Sequence, residues 1–107
     1  MWIFTLVMLV LAPIFLTIAY SVYRGFLGLI HEYHWKNVRP EDYSAYGNAM
    51  GIGLSVFGIT FLLSGGISLL GGSLWVIYSA FGVLAAGIIA GLVLIGRAQK
   101  KYNGGWF

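Results

Sequence analysis

Cysteine is missing from this 107-residue chain, proline occurs only twice, and charged residues make up 8% of it. Without cysteine there are no disulfides, no iron–sulfur clusters and no zinc–thiolate sites within the chain. The shortage of charge excludes an ordinary soluble domain, in which about a quarter of residues are charged. No charged side chain precedes Arg24, and none falls between Asp42 and Arg97. Acids and histidines are therefore absent from the apolar tracts, where a proton-coupled carrier would place them.

Sixty per cent of the residues are hydrophobic. A soluble domain of this size could not hide so much apolar surface, because much of its area must still face water. A bilayer removes the conflict. One crossing needs about 20 apolar residues, since the hydrocarbon core is about 30 Å thick and a helix rises about 1.5 Å per residue. The tract from Trp2 to Tyr23 is long enough for one crossing. It has no basic n-region and no small-x-small cleavage site, so it is expected to be a retained helix rather than a secretory signal. Pro13, near its middle, predicts a kink around Leu9 to Pro13.

The tract from Tyr43 to Gly96 would span about 80 Å as one helix, so it must fold back. Gly71-Gly72-Ser73 is the best turn, because paired glycines accept backbone angles closed to other residues; Gly65-Gly66 is the second choice. Pro40 suits the first turn of the second span, with Glu41 and Asp42 favourable at its positive end. The last helix ends in Arg97, Lys100, Lys101 and Tyr102. The first loop carries Phe26, Ile30 and Tyr33 at helical spacing, which predicts a short amphipathic helix on the membrane surface.

All six Lys and Arg residues, Arg24, Lys36, Arg39, Arg97, Lys100 and Lys101, flank the apolar tracts. Three spans put them on one side, and the positive-inside rule makes that side cytoplasmic, with the N-terminus outside. These bases are expected to face anionic lipid rather than nucleic acid. Trp106 and Phe107 are expected to anchor the tail at the interface.

Small residues recur at helical spacing. Gly47, Gly51, Ser55, Gly58 and Gly65 keep near one face of span two. In span three, Gly82, Ala86 and Ala90 form one stripe, and Gly87 and Gly91 form a second. Helices in lipid associate by close packing of such residues. Spans two and three, joined by a short turn, are expected to form an antiparallel pair with close backbones. That leaves one small face of span three for span one or for another copy.

Signs of chemistry are few. His31, Glu32 and His34 could begin a metal site, but the metalloprotease pattern needs two histidines four apart, with glutamate directly after the first. The segment is read as a polar interfacial stretch. No G-x-S-x-G elbow and no phosphate loop occurs, despite sixteen glycines. Asn48, near the start of span two, is read as a capping or interfacial residue. No catalytic, cofactor-binding or metal-ligating residue is assigned, and no cofactor is implied.

Pro40-Glu41-Asp42-Tyr43, then Tyr46-Gly47-Asn48-Ala49-Met50-Gly51, and the basic exit Gln99-Lys100-Lys101-Tyr102-Asn103 resemble a domain-of-unknown-function family. Its members are small three-span membrane proteins found mainly in Gram-positive bacteria. The resemblance covers most of the chain and implies a three-helix membrane fold. It carries over no activity and no site residues.

The expectation is an all-α three-helix transmembrane bundle with a glycine-turn hairpin between spans two and three. It forms a single domain over residues 1–107, with spans at about 2–23, 45–70 and 74–95. The loop 24–42 and the tail 97–107 are cytoplasmic. The composition points away from an enzyme and toward an accessory or regulatory membrane subunit that packs against a membrane partner or itself. An oligomeric channel or small transporter component is the alternative.

Overall fold

A computed structural model describes residues 2–24 and 39–103. Three helices are present: α1 (Trp2–Tyr23), α2 (Tyr43–Ser68) and α3 (Leu74–Asn103). All three are long and apolar enough to cross a membrane, and no strand occurs among the described residues. The chain is a multi-pass membrane protein with an all-α, three-helix fold. The His31–His34 cluster, the amphipathic stretch around Phe26 to Tyr33, Lys36, Trp106 and Phe107 lie outside the described residues.

The helix boundaries follow from local chemistry. α1 runs unbroken through Pro13, the only proline inside it. Pro40 opens a short 3-10 turn, Pro40–Asp42, that leads directly into α2. Proline costs little there, because a first-turn N–H has no helical partner to lose. The N-cap of α2 is Asp42, which makes no side-chain capping bond. Asn48 therefore lies well inside the helix and does not cap it. At the other end α2 stops at Ser68, and Gly71 takes a φ of +126°. Side-chain-bearing residues rarely adopt that angle, so the hairpin turns at Gly71 as the paired glycines predict. Gly65 and Gly66 remain inside α2.

α2 lies between α1 and α3 and makes most of the interhelical contacts. Its apolar window is 39% buried, against 22% for each outer helix, which fits its central position. α1 and α3 approach each other through side chains, as where the rings of Phe4 and Phe81 meet at 4.9 Å. Two apolar clusters form the interior. One, toward the 69–73 turn, joins Met8 and Ala12 to Phe61. The other, toward the basic end, joins Val22, Tyr46, Met50, Ile95 and Ala98. Much of the rest is apolar and exposed, including Ile3, Leu6, Ile59, Leu62, Leu63 and Ile89. Such a surface is stable only against lipid or protein.

The glycine stripe of α2 does not pair with α3. Gly51, Gly58 and Gly65 recur every seven residues and face α1. A methyl group on Gly51 would stand 2.6 Å from Tyr23 Cβ and 2.8 Å from the Ala19 carbonyl oxygen. At Gly58 it would meet Leu16, and at Gly65 it would meet Met8 and Leu9. The antiparallel α2–α3 pair is closely packed as well, but through other glycines. Gly87 lies under Thr60 and Gly91 under the Phe57 ring, while on α2 Gly53 receives Ile95. The reason is that a central helix needs two contact faces. The seven-residue glycine row serves one, and the α3 glycines serve the other.

Candidate interaction faces of the helix bundle

The small residues divide into filled and open sets. Gly47, Gly51 and Gly58 are buried, and Ser55 is half-buried with its hydroxyl donating to the Ile52 carbonyl at 2.7 Å. Gly91 is buried and Gly87 is half-buried beneath α2 side chains. Gly82, Ala86 and Ala90 are different. All three are exposed, on the side of α3 turned away from α2. Nothing lies within 4 Å of where a Gly82 Cβ would stand. Ser79 and Tyr78, also exposed, extend this face toward the turn.

Polar fastenings cross both seams, and the one-letter pattern did not reveal them as pairs. At the basic end Tyr46 and Gln99 are almost fully buried, and the Tyr46 hydroxyl donates to Gln99 Oε1 at 3.1 Å. The Tyr46 ring also meets that of Tyr102 edge-on, with centroids 6.3 Å apart. Toward the turn, the Ser64 hydroxyl donates to the Ala80 carbonyl at 2.8 Å. Thr5 and Ser68 share a hydrogen bond of 2.5 Å between α1 and α2, and Ser68 also donates to the Gly65 carbonyl. Thr60 instead satisfies itself, donating to the Val56 carbonyl one turn back. No buried side-chain polar atom among the described residues lacks a partner. In a medium without water that condition is strict, because each unmet group costs several kcal/mol, on the order of its transfer energy.

The described basic residues collect at the end opposite the 69–73 turn. Arg24 donates to the Tyr20 hydroxyl at 3.1 Å and lies over its ring. Arg39 pairs with Glu41 at 3.7 Å, with both side chains largely exposed. α3 continues as helix to Asn103, so Arg97, Lys100 and Lys101 project from its last two turns, at the helix end where the sequence places them. Lys101 lies 5.2 Å from the Tyr102 ring centroid. No three His, Cys, Asp or Glu side chains converge on a common point among the described residues.

Open grooves mark the bundle surface among the described residues. One of about 690 Å³ lies by the turn, lined by Trp2, Leu6, Leu9 and the Thr5–Ser68 pair. A second, about 280 Å³, follows the α1–α2 seam beside Gly51. A third, about 240 Å³, lies between α2 and α3 at the basic end. Comparison with protein-family models, with curated proteins and with solved structures gives no match.

Proposed function

We propose that this chain is a small membrane subunit of accessory or regulatory type that packs against a membrane partner or a second copy of itself. It acts by occupying a helix face, not by chemistry. One observation carries the reading. The small residues on the α1–α2 and α2–α3 seams are filled by neighbouring side chains, whereas the Gly82–Ala86–Ala90 stripe on α3 is open. In lipid, small residues favour association because they let helix backbones approach, and a stripe left open can take one more helix. The charge distribution supports a cell-membrane orientation with the basic end in the cytoplasm and the N-terminus outside.

The absence of cysteine makes the test direct, since a single introduced cysteine reports alone. In native membranes, G82C and A86C are expected to form a cross-linked adduct with a second copy or with a partner subunit. L62C, equally apolar in setting and exposed on α2, is expected to form none. Gly82→Leu should abolish the A86C adduct without lowering the melting temperature. The reading fails if G82C and A86C cross-link no better than L62C. Ion flux through vesicles holding this chain alone would favour the channel instead.

A further inference from the structure

We infer that the α2–α3 groove at the basic end is a seat for one anionic phospholipid. Its phosphate is held by Arg97 and Lys101, and an acyl chain lies along the groove floor. The inference rests on membrane insertion and not on the open α3 stripe, so the two can fail separately.

The floor is apolar. Ala49 and Ile52 come from α2, and Leu94 and Ala98 from α3. Arg97, Lys101 and Tyr102 form the mouth. Arg97 and Lys101 are four residues apart on continuous helix, so they stand one turn apart on one face. Both are exposed, and neither pairs with a carboxylate among the described residues. Tyr102 is braced from behind by the Tyr46 ring, which gives the mouth a fixed wall.

The depth is also right. The uncharged part of α3 from Leu74 to Ile95 is about 33 Å long, close to the hydrocarbon thickness of about 30 Å. Arg97 then lies about 3 Å beyond the hydrocarbon edge and Lys101 about 9 Å beyond it. A headgroup layer is about 5–8 Å thick in each leaflet, so the two cations bracket the phosphate level. Cations in the last turn of a helix are explained by its negative end. That accounts for Lys100 and Lys101 but not for Arg97, which lies nearly two turns before Asn103. A free phosphate would use the cations and leave the apolar floor bare. A phospholipid uses both.

The test is the full chain in phosphatidylcholine vesicles containing a minor fraction of chain-spin-labelled phosphatidylglycerol. The immobilised fraction is compared with that of labelled phosphatidylcholine. Wild type is expected to prefer phosphatidylglycerol several-fold. R97Q/K101Q should fall to the phosphatidylcholine level. R24Q and K100Q should keep most of the preference, because Arg24 is engaged by Tyr20 and Lys100 does not line the groove. I52W should weaken the preference by filling the groove with both charges intact. Helicity and detergent melting check that each variant is folded. The inference is overturned if R97Q/K101Q keeps the preference or if R24Q or K100Q loses as much. It is equally overturned if I52W has no effect or if glycerol phosphate in solution displaces the labelled lipid.

Discussion

The two seams of α2 solve the same packing problem in opposite ways. Along α1–α2, the central helix supplies the gaps, at Gly51, Gly58 and Gly65, and α1 supplies the side chains that enter them. Along α2–α3, most gaps lie on α3, at Gly87 and Gly91, and α2 sends in Thr60 and Phe57. Phe57 also meets Phe15 of α1 edge-on at 6.1 Å, so one ring contributes to both seams. The first seam brings backbones together at Gly51 and carries one buried side-chain bond, Thr5–Ser68, whereas the second carries two, Tyr46–Gln99 and Ser64 to the Ala80 carbonyl. The lesson is that small residues on a membrane helix tell where something approaches, not which neighbour it is.

Substitutions can sharpen that contrast, and the largest effect is expected at Gly51. Even alanine there would collide with the α1 backbone at Ala19 and Tyr23, which cannot move cheaply. Gly51→Val should cost about 3 kcal/mol, the upper range for overpacking, and should release α1. Loss of cross-linking between cysteines on α1 and α2, with α2–α3 cross-links kept, is the measurement. Gly91→Ala should be milder, about 1–2 kcal/mol, because it meets the edge of the Phe57 ring rather than backbone. A lowered detergent melting point restored in part by Phe57→Leu would verify it.

Tyr46→Phe removes the buried bond to Gln99 and should cost about 1 kcal/mol, within the usual range for hydrogen bonds between membrane helices. If the bond is the cause, Y46F/Q99L should cost less than the two single changes added, as a double-mutant cycle would reveal. The smallest effect is expected for Thr5→Val, about 0.5 kcal/mol, since Ser68 retains its bond to the Gly65 carbonyl. A melting shift as large as that of Tyr46→Phe would refute this ranking.

What could be read from the chain was what depends on length and local chemistry. A charge-free tract too long for one crossing demands a turn, and Gly71-Gly72 is where the backbone can make it. Pro40 marks the entry to α2 for a reason confined to the first helical turn. The Tyr46–Gln99 bond could not be read, because its residues lie 53 apart and neither belongs to a periodic pattern. The partner of each glycine row was equally hidden, since spacing defines a face but not what covers it. The end of α3, by contrast, was legible in its basic run, Arg97, Lys100, Lys101 and Tyr102. Arg97 marks the end of the hydrocarbon, and the helix does not have to stop there. The groove with Arg97 and Lys101 at its mouth exists because the helix continues.

The central position of α2 has a consequence for how the molecule is made. Each close seam joins consecutive spans, so no segment must search past another to find its mate. As the ribosome delivers the chain, α1 waits only for α2, and α2 waits only for the hairpin to close behind it. Such a local wiring order favours rapid assembly, because little chain entropy is lost before contacts form. It also leaves the outer side of α3, at Gly82, Ala86 and Ala90, uncovered once the hairpin has closed.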